Sequence, residues 1–306
     1  MLTATLLVSC STAMLNKSKE AVSEEAVKVG YYLDFKSDSE LEYKFSQRGS
    51  YEVKSVSYES GNKNIGAISI WYPETNDNQK LPAILVVNGS NTPAAVYVPF
   101  FERLASWGFA VVGNEDPQTG TGKTASITLD FILDKANENT LPVAIDVDEI
   151  GIIGYSQGGA GAINAITRYE NGNVYKALFT GSAAYQLLSK NSGWEYDITK
   201  IDIPYFMCAG TGWSDDTGWD MNTAFGGVAP LASLIQNYNE ISSDVSKVRA
   251  RVTGAEHTDM LTLSDPYMTA WMLYQLKDDQ EAAKVFIGDD AELMTNTHWQ
   301  DVEKNF

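Results

Sequence analysis

From Tyr51 the chain alternates apolar and polar positions through "YEVKSVSYES", breaks at "GNKN", and nearly alternates again through "IGAISIWYP". Period-two patterning on both sides of a polar turn predicts a strand, a turn and a second strand. From Leu81 the rhythm changes. "AILVVN" is a continuous apolar run, as expected of a strand buried on both faces. "VYVPFFERLASWG" follows with helical spacing and a glycine stop at Gly108. The same alternation then repeats. Strands are expected at "FAVVGN", "EIGIIGYS", "YKALFTG", "IPYFMCAG" and "KVRARVTG". Helices are expected at "ASITLDFILDKAN", "GGAGAINAITRYENG", "APLASLIQNYNEI" and "YMTAWMLYQL". Strands separated by helices imply an α/β fold, with a mostly parallel central sheet and helices on both faces. The early hairpin adds an antiparallel N-terminal edge.

This pattern spans residues 46–306, which are expected to form a single domain. Residues 10–45, rich in Ser, Lys and Glu, are expected to be a tether and a loosely packed lead-in. Ahead of them Leu7-Val8-Ser9-Cys10 closes a short apolar run. That ending resembles a bacterial lipobox, with residues 1–9 as a truncated lipoprotein signal and Cys10 as a lipid anchor. On this reading the protein is extracytoplasmic and membrane-anchored. The alternative is a short apolar helix with an incidental cysteine, in a cytoplasmic protein. No apolar stretch reaches the ~18 residues of a membrane span.

Charge narrows the partners. Forty acidic against 22 basic residues give a formal charge of −18, which disfavours binding to nucleic acid. The two cysteines, Cys10 and Cys208, build neither a disulfide framework nor a cysteine zinc site. No metal and no cofactor are expected. "TGTGKTAS" at 119–126 imitates a phosphate-binding loop, but Pro117 occupies the position of that pattern's first glycine. A loop leading into a helix is the expected role.

The chemistry gathers at "GIIGYSQGGAG", residues 151–161. Gly154-Tyr155-Ser156-Gln157-Gly158 matches G-x-S-x-G between an expected strand and an expected helix. In that setting a sharp turn holds the serine hydroxyl above the sheet edge; a helix-capping serine would suit the same place. A nucleophilic serine needs a base, and the chain has two histidines, His257 and His298. His257 follows the last expected strand in "GAEH", on the sheet edge where ligands gather. His298 lies in the tail "TNTHWQDV" and reads as surface packing. The acid should follow another strand end, and "TGWSDDTGWD" after "IPYFMCAG" offers Asp215, Asp216 and Asp220. Asp215, the first carboxylate reached, ranks ahead of the other two. The order Ser, Asp, His is the one α/β-hydrolases use. The oxyanion donors are expected to be the Gln157 N–H and, from the loop after "AILVVN", the Ser90 N–H. Asn91, Tyr155, Trp213 and Trp219 are candidates for the cleft wall.

Together these segments resemble the α/β-hydrolase superfamily over roughly residues 50–287. More narrowly they resemble the dienelactone-hydrolase and bacterial cutinase branch, which includes polyester hydrolases. The resemblance rests on "GAISIWYP", "LPAILVVNGSN", "FFERLASWGFAVV", "IGIIGYSQGGAGA" and "YMTAWMLYQLKDDQEAAKVF". It implies the α/β-hydrolase fold and a serine esterase, without metal cofactors, that cleaves small or polymeric esters through an acyl-enzyme. The chain departs in carrying Ser156 where dienelactone hydrolases use cysteine. It also reads "SAAYQLL" where polyester hydrolases carry a tryptophan, and separates its aspartates from "VAP" by an insertion. The rival readings are a peptidase or amidase of the same fold, and a non-catalytic surface binding protein on a hydrolase scaffold.

Overall fold

The computed structural model describes residues 27–75, 79–218 and 226–306. Cys10 with its lipobox-like run, Trp219 and Asp220 lie outside the described residues. A nine-stranded sheet runs through the molecule in the order β1-β2-β4-β3-β5-β6-β7-β8-β9. The strands are β1 (Val53–Glu59), β2 (Ala67–Pro73), β3 (Leu81–Val87), β4 (Ala110–Asn114), β5 (Ile145–Tyr155), β6 (Tyr175–Gly181), β7 (Tyr205–Gly210), β8 (Lys247–Val252) and β9 (Trp299–Lys304). Strands β4, β3, β5, β6, β7 and β8 are mutually parallel. The hairpin β1–β2 adds antiparallel pairing at one edge, and β9 adds it at the other. This is the α/β-hydrolase fold.

The alternation of side chains along each strand divides the core in two. In β3, Ile84 and Val86 face one layer, while Ala83, Leu85 and Val87 face the other. The first layer is filled from α1 (Glu40–Ser46), α2 (Val98–Ala105) and α6 (Asp265–Lys277). The second is filled from α3 (Lys123–Asn137), α4 (Gln157–Arg168) and α5 (Leu231–Glu240). Helix α6 is buried on nearly every side, and its Trp271 indole N–H donates to the Leu178 carbonyl, 3.1 Å away. The sequence shows this helix as almost uniformly apolar for the same reason.

One expectation is corrected. The described part of the 10–45 lead-in is not loosely packed. Helix α1 begins inside it, and Phe45 and Glu42 are each only 1% exposed. Arg103, on α2, closes the end of α1: its Nε donates to the Ser46 carbonyl at 2.7 Å, and an Nη donates to the Phe45 carbonyl. These are helix-end carbonyls, which have no partner within their own helix. The same guanidinium meets Asp265 at 2.8 Å and Thr269 at 2.9 Å. The Tyr31 hydroxyl donates to the other Asp265 oxygen. The C-terminal tail, for which the pattern predicts no element, forms β9. There Trp299 Nε1 and His298 Nδ1 meet the buried Glu42 carboxylate at 2.7 and 2.8 Å. Short segments with one or two apolar anchors carry too little periodicity to be read from sequence.

The Arg103–Asp265 pair has side chains 0% and 1% exposed. Burial pushes the Asp265 carboxyl up to about 6, and the adjacent guanidinium offsets only part of that. Removing one partner strands the other in the core. Arg103→Ala should therefore lower unfolding free energy by about 3–5 kcal/mol, as measured by denaturant titration. A loss below about 1 kcal/mol would mean that water or neighbouring groups replace the guanidinium.

Candidate active site

Strands β3, β5, β7 and β8 end at one edge of the sheet, and the chain order reverses between β3 and β5, opening a crevice there. Ser156 sits at the tip of β5, directly ahead of α4. Its backbone has φ 57° and ψ −122°, which is costly for a residue with a Cβ. The turn persists because its surroundings fix it. The Ser156 N–H donates to the Gly181 carbonyl at 3.0 Å, and its own carbonyl accepts from Gly159 at 2.9 Å and Ala184 at 3.2 Å. The glycines permit the close approach. A Cβ on Gly154 would lie 2.2 Å from the Gly158 oxygen, and one on Gly158 would lie 2.0 Å from the Val87 oxygen.

His257 arrives from the loop after β8, and Asp215 from the loop after β7. The imidazole Nε2 is 2.8 Å from Ser156 Oγ, and Nδ1 is 2.6 Å from Asp215 Oδ1. The carboxylate is fully buried, and its second oxygen accepts from the Gly210 N–H at 2.7 Å and from the Ser182 hydroxyl. With both oxygens engaged, its orientation is fixed. The Tyr155 ring stacks on the imidazole at 5.2 Å, and its hydroxyl donates to the His257 carbonyl. Tyr155, a candidate for the cleft wall, thus also backs the imidazole. An imidazole protonated at Nδ1 would here donate to Asp215 and accept from Ser156 at Nε2, the pattern that a general base needs.

The neighbouring carboxylate is engaged elsewhere. Asp216 Oδ2 lies 2.5 Å from Arg251 and accepts from the Leu231 N–H at 3.2 Å. Of the two candidate aspartates among the described residues, Asp215 and Asp216, Asp215 is the one brought to His257. His298 is held by Glu42 and is not part of this cluster. Gln157 opens α4, where an N–H has no partner within the helix. Ser90 lies in the exposed turn after β3, and among the described residues nothing accepts from its N–H. Asn91, next to it, has φ 57°. Trp213 is 70% exposed, one residue from Ser214. Among the described residues no cluster of three or more His, Cys, Asp or Glu side chains could hold a metal ion. Cys208 is buried.

Several working residues were missed. Glu256, beside His257, accepts from the N–H groups of Trp213 (3.2 Å) and Ser214 (2.9 Å) and from the Ser214 hydroxyl. Ser214 Oγ in turn accepts from the His257 N–H at 2.7 Å. One carboxylate thus ties the acid-bearing loop to the base-bearing loop. The pairing crosses 42 positions of sequence, so no local pattern announces it. The "TGTGKT" stretch also has a role here: the Thr119 N–H donates to Gln157 Oε1 at 3.2 Å, and its hydroxyl donates to the Asn88 carbonyl at 2.6 Å. It braces the serine turn.

The family described as PET hydrolase-like matches residues 37–187, a span that includes Ser156 and the loop after β3. No curated protein matches the chain.

Hydrogen bonds from Ser214 and Trp213 hold the Glu256 carboxyl below the usual glutamate range. A depressed carboxylate favours the folded arrangement at pH above its unfolded value. That contribution is lost as pH falls through the lowered folded value. A carboxyl-carbon NMR titration should place Glu256 below ordinary glutamates. A value at or above the ordinary range would mean that the tie between the loops does not hold in solution.

Proposed function

We propose that this α/β-hydrolase, similar to the PET hydrolase-like family over residues 37–187, hydrolyses carboxylic esters through a covalent acyl-serine. The observation that carries the reading is the unbroken line Ser156 Oγ, His257 Nε2, His257 Nδ1, Asp215 Oδ1, with spacings of 2.8 and 2.6 Å at its two hydrogen bonds. Ser156 attacks the ester carbonyl while His257 takes its proton, and Asp215 stabilises the imidazolium so formed. The Ser90 and Gln157 N–H groups receive the oxyanion. His257 then gives its proton to the departing alcohol oxygen. Water, deprotonated by the same imidazole, attacks the acyl-serine and restores the hydroxyl. Proton and bond bookkeeping closes without any cofactor.

Trp213 presents a large ring to solvent within one residue of the Ser214 hydrogen bond to His257. It supports binding of an apolar part of the substrate, since a large exposed ring gains by being covered. The substrate is a small or a polymeric ester.

Ser156→Ala should lower kcat on a short aryl ester by several orders of magnitude, and wild type should label with a fluorophosphonate at Ser156 alone. Undiminished turnover in the variant, or no labelling of wild type, would sink the reading. Asp215→Asn should lower kcat by roughly 10⁴ with little change in KM, by analogy with the same change in a serine protease. Asp216→Asn should mainly reduce stability, because its partner is Arg251. The reverse ranking would put the acid at the wrong aspartate.

A further inference from the structure

A row of side-chain amides runs along the β3 side of Ser156, and its hydrogen-bond polarity is determined. The Thr119 backbone N–H can only donate, so the Gln157 atom it meets at 3.2 Å is the amide oxygen. The Gln157 nitrogen therefore donates onward to Gln118 Oε1, at 3.0 Å. The Gln118 nitrogen donates to Asn91 Oδ1, at 3.1 Å. Each amide oxygen is taken in turn, so the row ends on the Asn91 NH2. That group is exposed and has no acceptor among the described residues. The Asn91 N–H donates to the Pro117 carbonyl at 2.9 Å, which holds the residue at its positive φ.

We propose that Asn91, aimed by Gln118, is a donor site for a neutral acceptor oxygen on the acyl part of the ester. The inference rests on the esterase reading and names a preference within it. The acyl side follows from the topology. His257, at the end of β8, protonates the departing alcohol, whereas Asn91 follows β3 on the opposite flank of Ser156. The acyl part stays bonded to Ser156, and one that extends toward that flank would meet Asn91. Neutrality follows from charge. The protein carries −18 overall, and Glu115 stands in the same loop region, within 3.4 Å of the Ala95 N–H. A carboxylate-bearing acyl group would be repelled. Hydroxyl, ether and carbonyl oxygens remain. Asn91 is the binding residue, and Gln118 positions it.

The test compares kcat/KM for 4-nitrophenyl methoxyacetate and 4-nitrophenyl butanoate. They are near-isosteres differing by one ether oxygen in place of a methylene. The ratio of the two cancels intrinsic reactivity when variants are compared. Asn91→Asp keeps the acceptor for Gln118 but has no NH2. Gln118→Glu has no donor, so it accepts from Gln157 and turns the Asn91 amide round to present its oxygen. Both should lower the ratio about three- to ten-fold, the range of one hydrogen bond. Gln118→Leu, which only frees Asn91 to rotate, should fall between them and wild type. A residue that merely stabilised the loop would slow both esters together and leave the ratio unchanged. An unchanged ratio in Gln118→Glu, or an equal fall in all three variants, would overturn the inference while leaving esterase activity intact. Failure of wild type to cleave either ester would overturn the esterase reading and this inference with it.

Discussion

The structure depends on one backbone constraint. Ser156 must hold a conformation that its own Cβ opposes, and it does so because three separate parts of the chain press against it. The β3 carbonyls leave room only for hydrogen at Gly158, and the Gly181 carbonyl and Ala184 N–H close on the Ser156 peptide from β6 and the loop after it. The hydroxyl therefore stands above the sheet without a mobile side chain having to be ordered on binding. Everything else at this edge is arranged relative to that fixed point.

The groups around it are coupled in pairs, each built from two loops. Asp215 and His257 belong to different strand ends, yet Glu256 and Ser214 join those ends by hydrogen bonds on the exposed side while Ser182 and Gly210 fix the carboxylate from below. On the other flank the loop after β3 is joined to the loop after β4 through Asn91, Gln118 and Gln157. A displacement of any one loop would thus be resisted by its partner, which suits chemistry that is sensitive to sub-ångström placement.

How much of this could be read from the chain follows from the range of each interaction. The strands β1 to β8 and helices α2 to α6 that build most of both core layers were legible, because buried strands and amphipathic helices repeat locally. Ser156 and His257 were legible because each follows a strand end that pattern alone identifies, and Asp215 followed from its distance beyond Gly210. Helix α1 and strand β9 were not legible. Their residues are ordered by Arg103, Asp265 and β8, which lie far away in sequence and contribute no local period. Glu256 and Gln118 were missed for the same reason: each is an ordinary polar residue in a loop until its distant partners are known. The stacking of Tyr155 on His257 was not legible either, since facing direction at a strained turn does not follow the strand's alternation.

The Tyr31 and Glu42 contacts have a consequence for the order in which the chain can complete itself. Tyr31 waits for Asp265, 234 positions later, and Glu42 waits for Trp299, 257 positions later. At ribosomal speeds of about 5–20 residues per second, that is a delay of roughly 12–50 s. During this interval Phe45 can meet Trp107 and α2, but the first layer of the sheet lacks α6. Residues 31–45 therefore complete their packing only after residues 265–299 have been made, and until then they stay open to chaperones and proteases.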